Sequence, residues 1–141
     1  MKVKVKRFDK KFPLPEYHSE KAAAMDLVAR ETVEIQPHQV GLVRLNMALQ
    51  VPPDYWVLVA ARSSLHKKGL LMANGIGVGD EDFAGNEDEY RAILLNFTDA
   101  AVTVTQGDRI AQMIVLPRDR VELEEVETLV APTRGGIGST G

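Results

Sequence analysis

The sequence contains no cysteine, so disulfide bonds and thiolate metal sites are excluded. Aromatic residues make up only 6% of the chain, with a single tryptophan, which we expect to lie in the core. No apolar run approaches the roughly 18 residues that a membrane-spanning helix needs. The histidines show no paired spacing (His18, His38 and His66), which argues against a directly ligated transition metal. Because no membrane-spanning segment is found, we predict that the protein has no membrane partner.

Strong charge of either sign is also lacking, because the net charge is only −3. We therefore do not expect the protein to bind nucleic acid through a general basic surface. A phosphate-bearing ligand must instead meet local cations or a metal ion. The first eleven residues are basic but have no apolar segment behind them, so we expect no signal peptide and a cytoplasmic location.

The remaining composition is typical of one globular domain, with 141 residues of which 45% are hydrophobic. Apolar residues recur at every second position from Val43 to Val51, as expected for a strand with one buried face. Residues 21–30 are interpreted as a loop that leads into a strand. Many short strands with turn signals between them predict an all-β, jelly-roll-like sandwich or barrel. The predicted strands are residues 3–7, 43–51, 55–61, 92–97, 101–105, 109–116 and 121–126.

One short helix is predicted over residues 63–68, with Gly69 ending it. Hydroxyl groups suited to N-capping precede it in Ser63 and Ser64, and Arg62 lies directly before them. Free N–H groups and a guanidinium at a helix start favour an anion site. An ordinary capped helix with a surface arginine is the alternative interpretation.

Residues 74–85 contain four glycines, which allow the backbone to approach a ligand closely. Asp80 and Asp82 follow two residues apart, and in an extended segment their side chains share a face. Such a pair suits a general base or a metal-binding group. Taken alone, the segment is more typical of a β-hairpin turn rich in Gly and Asp.

The glycine-rich residues 131–141 cannot build a core, and a disordered tail is their simplest interpretation. Arg134 with Ser139 and Thr140 would also suit a flexible phosphate clamp. The Gly-Lys-Ser/Thr ending of a P-loop is absent, which excludes a Walker-type nucleotidase. We predict a domain over residues 1–130 and a flexible glycine-rich arm over residues 131–141.

Five separated segments together resemble, in order, the five motifs of the trimeric dUTP pyrophosphatases (dUTPases). Each motif alone is weak, but five in the family's order cover nearly the whole chain. The segments are residues 23–27 (AAMDL), 62–65 (RSSL), 74–83 (NGIGVGDEDF), 107–112 (GDRIAQ) and 135–141 (GGIGSTG).

The resemblance implies a homotrimer with active sites shared between subunits, and Mg²⁺-dependent hydrolysis of dUTP to dUMP and pyrophosphate. Asp80 would be the general base that activates water for attack on the α-phosphorus. Asp26 would hold the Mg²⁺ shell through water. Phe83 would lie beneath the deoxyribose and exclude a 2′-hydroxyl. The remaining substrate-binding residues implied are Arg62, Ser63, Ser64, Gln112 and Arg134 at the phosphates, Asn74, Gly77, Val78 and Gly79 at uracil, and Asp82, Arg91, Ile137, Ser139 and Thr140.

Four positions depart from the family pattern. Arg134 lies directly before Gly135, whereas the family arginine usually comes a few residues earlier. Gly79 stands where Ile is usual, which predicts a looser turn around Asp80. Phe83 keeps the usual aromatic ring but lacks a hydroxyl, and Ile137 replaces the Phe that covers the base. An acidic stretch over residues 85–90 is interpreted as a solvated hairpin tip.

Two alternatives to a dUTPase are carried forward. A dCTP deaminase of the same fold would place a catalytic Glu in the strand after the hairpin, where this chain has Asn96. A non-catalytic, nucleotide-binding regulatory protein is the other alternative, but such a protein would not need the base Asp80.

Overall fold

The computed structural model describes residues 1–136 and residue 138. These residues contain eleven short strands. Every strand pairing is antiparallel. The strands are β1 Lys4–Arg7, β2 Met25–Val28, β3 Val33–Ile35, β4 Val40–Arg44, β5 Met47–Gln50, β6 Tyr55–Ala61, β7 Leu70–Met72, β8 Gly77–Gly79, β9 Arg91–Asn96, β10 Val102–Val104 and β11 Arg109–Pro117.

The strands form four small sheets around one apolar core. The largest has the order β2-β11-β6-β8, and the others are β4-β9-β7, β1-β5 and β10-β3. Alternate residues of these strands point inward, as the two-residue period requires. The largest fully buried apolar side chains are Leu27, Leu45, Met47, Leu70, Leu94 and Ile110. The prediction of an all-β, jelly-roll-like fold is confirmed.

The predicted strand over residues 43–51 is divided in two. Asn46 has a φ of 65°, a left-handed conformation that a continuous strand does not permit. Its side chain compensates by accepting from the backbone N–H of Asp9 and donating to the Asp9 carbonyl, at 2.7 and 3.0 Å. Val43 and Val51 nevertheless remain buried, as the period predicted. The alternating pattern therefore predicted the buried face correctly, but its prediction of one continuous strand was wrong.

Three further predictions of secondary structure need correction. The interpretation of residues 21–30 as a loop is wrong for Met25–Val28, which form strand β2. The helix is a 3-10 turn of four residues, Leu65–Lys68, and Gly69 ends it with a φ of 79° as expected. Residues 121–126 form no strand, and their apolar side chains, such as Leu123, are exposed. No helix within the described part of the chain is long and apolar enough to cross a membrane.

Candidate active site

Asp26, Arg62, Arg109 and Gln112 meet where β2, β11 and β6 lie side by side. Gln112 on β11 is paired with Asp26 on one side and with Ala60 on the other. The Asp26 carboxylate accepts from Arg62 Nε at 2.9 Å and from Arg109 Nη1 at 3.3 Å. Gln112 donates to the Ala61 carbonyl at 2.9 Å, which fixes its amide beside Arg62. Residues from three motifs are therefore brought together.

These residues line a cleft of about 430 Å³, here called the basic cleft. One carboxylate faces two guanidinium groups, so an excess of positive charge remains for an anionic ligand. His18 also lies within 3.3 Å of Asp26. The other lining residues are Ala22, Ala23, Ala24, Ala60 and Ile114.

Metal ligands are sparse here. Among residues 1–136 and residue 138, no group of three or more His, Asp or Glu side chains is placed to hold a metal ion. A cation at the basic cleft would therefore draw most of its ligands from a bound triphosphate and from water. The single carboxylate of Asp26 fits this role, since its side chain is only 13% exposed and faces the cleft.

Ser63 and Ser64 lie exposed at the rim, directly after Arg62. Ser64 precedes the 3-10 turn but makes no side-chain capping hydrogen bond. The predicted N-capping role is therefore wrong for Ser64. Its hydroxyl group is not occupied by a cap and can serve a ligand at the rim of the basic cleft.

The glycine-rich segment forms a turn that leads from β7 into β8, and β8 pairs with β6 and not with β7. Asn74 donates from its side-chain amide to the Ile76 carbonyl at 2.8 Å, and Gly75 turns the chain with a φ of 71°. Gly77 then pairs with Val59 and Gly79 with Val57. A glycine-lined stretch of main chain thus borders a cleft of about 440 Å³, the hairpin cleft, whose lining also includes Val78, Phe83, Tyr90 and Arg91.

Asp80 and Asp82 follow β8 in a tight turn, in which the Phe83 N–H donates to the Asp80 carbonyl at 3.1 Å. The extended conformation considered from sequence is therefore wrong. Both carboxylates nevertheless line one cleft of about 390 Å³ together with Trp56, Arg118 and Arg120. Trp56 is partly exposed there, so its assignment to the core is also wrong.

Glu81, between the two aspartates, anchors this turn to the protein body. Its Oε2 accepts from Arg118 Nη2 at 2.6 Å and from the Asp54 backbone N–H at 3.0 Å. The hydrogen bond from Arg118 holds the pKa of Glu81 below its ordinary value. Nothing in the sequence pattern pointed to this pair, because its members lie 37 residues apart.

The acidic stretch over residues 85–90 is not a solvated tip at its C-terminal end. Glu89 is buried and accepts from Arg30 Nε and Nη2 at 2.7 and 2.8 Å, and from the Asn46 N–H at 3.1 Å. Tyr90 is only 6% exposed. The interpretation holds for Glu87, whose side chain is exposed, and is wrong for Glu89 and Tyr90.

Tyr90 also corrects the expectation of a loose turn at Gly79. Gly79 is buried, and the end of the Tyr90 ring occupies the space that a side chain at Gly79 would take. Burial raises the pKa of Tyr90 to about 12, with further contributions from the negative charges of Asp80 and Asp88. The Tyr90 ring therefore packs against the residue that directly precedes Asp80 and restrains the turn.

Asn96, the position considered for a deaminase glutamate, is fully buried at the end of β9. Its amide donates to the carbonyls of Ile35 and Ala100 at 2.9 and 2.8 Å, and its oxygen accepts from the Thr98 N–H. It holds a turn and lines none of the clefts described above. This placement argues against the deaminase alternative.

Arg91 joins the hairpin cleft, whereas Arg134 is exposed in a segment without helix or strand. Ile137, Ser139 and Thr140 lie outside the described residues. Arg109, His18 and Tyr90 were absent from the candidate residues. Arg109 stood within a recognised motif, while the other two gave no signal in the sequence.

Within one chain the candidate site is divided. Gly79 lies opposite Val57 on β6, whereas Arg62 directly follows the other end of that strand. At a rise of roughly 3.3 Å per residue, Asp80 and Arg62 lie about 20 Å apart. Asp80 and Arg62 therefore cannot contact one phosphate group within a single chain.

A glycine-lined cleft with a nearby carboxylate, and a separate basic cleft on an all-β fold, define a nucleotide hydrolase. Residues 10–141 match the dUTPase family model. The deoxyuridine 5′-triphosphate nucleotidohydrolase of Anaeromyxobacter sp. is 40% identical over 99% of this chain and 97% of its own length. That of Anaplasma marginale is 36% identical over 100% and 99%. The chain therefore belongs to the dUTPase family and is an enzyme.

A solved structure shares the fold over nearly the whole chain. The Staphylococcus bacteriophage 80alpha dUTPase with dUPNHPP has a TM-score of 0.84 and covers 99% of this chain and 98% of its own. Its sequence identity is 23%, so this likeness concerns the fold.

Proposed function

We propose that the protein hydrolyses dUTP to dUMP and pyrophosphate, with Asp80 as the general base. The observation that carries the proposal is the position of Asp80, which directly follows the glycine-lined strand β8 and shares a solvent-open cleft with Asp82. Membership of the dUTPase family supplies the reaction class. The names of the relatives supply dUTP as the substrate.

The reaction is a displacement at the α-phosphorus. Asp80 accepts a proton from a water molecule, the water oxygen bonds to the α-phosphorus, and the bond from that phosphorus to the bridging oxygen breaks. Pyrophosphate then leaves with the electron pair of that bond. Positively charged Arg62 and the amide of Gln112 stabilise the leaving group, and Ser63 and Ser64 donate to it from the rim.

Selectivity for base and sugar resides in the glycine-rich segment. Main-chain groups of Gly77, Val78 and Gly79 recognise uracil, since this stretch of main chain borders the hairpin cleft. Asn74 stabilises the turn that presents them. The Phe83 ring lies under the deoxyribose and excludes a 2′-hydroxyl, while Asp82 and Arg91 complete the contacts around the nucleotide.

Mg²⁺ fits the basic cleft as an ion carried mainly by the triphosphate, with Asp26 holding its shell through water. When bound, Mg²⁺ neutralises triphosphate charge and favours departure of pyrophosphate. Arg62 and Arg109 orient Asp26 for this role, since both donate to its carboxylate.

We further propose a homotrimer in which two copies complete each nucleotide site. The separation of Asp80 from Arg62 within one chain supports this arrangement, because the base and the phosphate-binding residues must reach the same nucleotide. Exposed apolar residues support it as well. Val40, Leu42 and Leu71 lie exposed on the outer face of the β4-β9-β7 sheet, and Leu123, Leu129 and Val130 lie exposed after β11.

The remaining proposals concern the arm and the location. Residues 131–141 form an arm that closes over the nucleotide and brings Arg134 to the phosphates, with Ile137 over the base and Ser139 and Thr140 at the phosphates. The absence of helix and strand in residues 118–136 supports freedom of this segment to move onto a ligand. We place the enzyme in the cytoplasm, which the absence of cysteine supports.

Pyrophosphate release from dUTP, dTTP, dCTP and UTP, measured with Mg²⁺ and with EDTA, tests the proposed reaction. We expect turnover of dUTP alone at low substrate concentration, and loss of most activity in EDTA. Ammonia release from dCTP would instead identify a deaminase. Binding of dUTP without turnover would identify a regulatory protein.

A further inference from the structure

Tyr90 touches both functional parts of the catalytic turn, although it lies in the acidic stretch outside the recognised motifs. It lines the hairpin cleft next to Gly79 and Phe83. Its backbone is fixed to the core, since its N–H donates to the Met47 carbonyl and its carbonyl accepts from the Leu45 N–H, both at 2.9 Å. The ion pair of the buried Glu89 with the half-buried Arg30 anchors the preceding residue. The ring is therefore held by a rigid part of the fold.

The end of the Tyr90 ring replaces a side chain at Gly79. A Cβ atom added at Gly79 would lie 2.6 Å from Cε1 and 2.7 Å from Cζ of Tyr90, and would also overlap the hydroxyl. The backbone of Gly79 is not among those with positive φ, so its conformation accepts an L-residue. The three nearest atoms to that Cβ position all belong to Tyr90, so its ring excludes a side chain there.

The same ring supports Phe83. The two ring centroids lie 5.2 Å apart with an interplanar angle of 89°, an edge-to-face arrangement. Phe83 is itself partly exposed to the cleft and lacks a hydroxyl that could fix it by a hydrogen bond. Tyr90 thus restrains the aromatic ring on one side of Asp80 and the strand residue on the other.

We propose that Tyr90 is a positioning residue of the catalytic turn, which aims the Asp80 carboxylate and sets the Phe83 ring through a single buried contact surface. This inference rests on the proposed function, because it assigns Asp80 to the water and Phe83 to the sugar. A shift of the turn by about 1 Å is enough to lower turnover severely, since the attack on phosphorus depends on alignment. Tyr90 itself acts through its neighbours and not on the nucleotide.

Steady-state kinetics of four variants test the proposal, with kcat and KM measured for dUTP and for UTP. Tyr90→Leu removes the ring, and Tyr90→Phe is the matched control that keeps it. Gly79→Ala inserts the excluded Cβ, and Gly79→Ala/Tyr90→Leu inserts it where the ring is gone. Melting temperature and trimer content are recorded for each variant, so that kinetic changes are compared among folded proteins.

We expect Tyr90→Leu to lower kcat for dUTP by about tenfold or more, with a smaller change in KM, and to reduce the preference for dUTP over UTP. Tyr90→Phe should stay within about threefold of wild type, because the ring supplies most of the contact. Gly79→Ala should lose kcat as well. The double variant should be more active than the product of the two single effects predicts.

Wild-type kcat and sugar preference in a folded Tyr90→Leu variant would overturn the inference. If that variant does not fold, Gly79→Ala decides, since wild-type kinetics there would show that the Tyr90 contact does not position the turn. Failure of the wild-type protein to release pyrophosphate from dUTP would instead contradict the proposed function. The two failures are therefore distinguishable.

Discussion

Asp80 and Arg62 lie at opposite ends of strand β6, which places the proposed base and the principal phosphate-binding arginine far apart in one chain. Each residue nevertheless lines a cleft suited to its part of the reaction. In the proposed homotrimer, Asp80 of one copy meets the basic cleft of another, which resolves the separation. The catalytic unit is thus expected to be the oligomer.

Asp80→Asn should abolish most turnover and keep nucleotide binding. The amide cannot accept the proton of the attacking water, and loss of a general base lowers kcat by about a hundredfold to ten-thousandfold. Pyrophosphate release gives kcat, and calorimetry with a non-hydrolysable dUTP analogue gives the dissociation constant. Asp99→Asn makes the same chemical change at an exposed site paired with His38 and should leave both values unchanged. Retained activity in the Asp80 variant would remove this residue from the mechanism.

Glu89→Ala should destabilise the fold by about 3 kcal/mol, because it leaves Arg30 without its buried partner. Glu87→Ala is the matched control within the same acidic stretch. The Glu87 side chain is 87% exposed, so its pairing with Lys6 is expected to contribute less than about 1 kcal/mol. Urea unfolding at one fixed protein concentration measures both values. Equal destabilisation by the two substitutions would contradict the buried role of Glu89.

The Glu81–Arg118 pair predicts a dependence of stability on acid pH. The folded-state pKa of Glu81 lies below its ordinary value of 4.5, owing to the hydrogen bond from Arg118. Its contribution is therefore fully present above the unfolded-state pKa and is lost as the pH falls through the lowered folded-state pKa. Melting temperatures of wild type and Glu81→Gln, measured from about pH 6 down to pH 3, should converge toward the acid end. Parallel curves would show that the pair does not stabilise the fold.

The buried face of the fold was largely predictable from the sequence, because burial imposes a two-residue period on each strand. β6 was predicted with its observed bounds, Tyr55–Ala61. The break at Asn46 was not predictable, since it depends on hydrogen bonds to Asp9, 37 residues away. The residues around Leu123 show that the alternating pattern can also mislead. Their apolar residues alternate with polar ones, yet they form no strand in the single chain.

The candidate site was likewise predictable only in part. Residues within short local motifs, such as Asp80, Arg62 and Gln112, were predicted to belong to the site, and the structure places each of them in a cleft. Residues that act through tertiary contacts were missed. Tyr90 becomes important only because its ring fills the space beside Gly79, and no local pattern encodes that contact.

Complementation between two inactive variants tests most directly whether the active site is shared. Arg62→Ala and Asp80→Asn chains are purified separately, shown to be trimeric and inactive, and then refolded together in equal amounts. If one copy supplies Asp80 and another supplies Arg62, about a quarter of the sites in randomly mixed trimers are intact and dUTPase activity returns to about that fraction. Mixed trimers that remain inactive would show that both residues must come from the same chain, and would contradict the account.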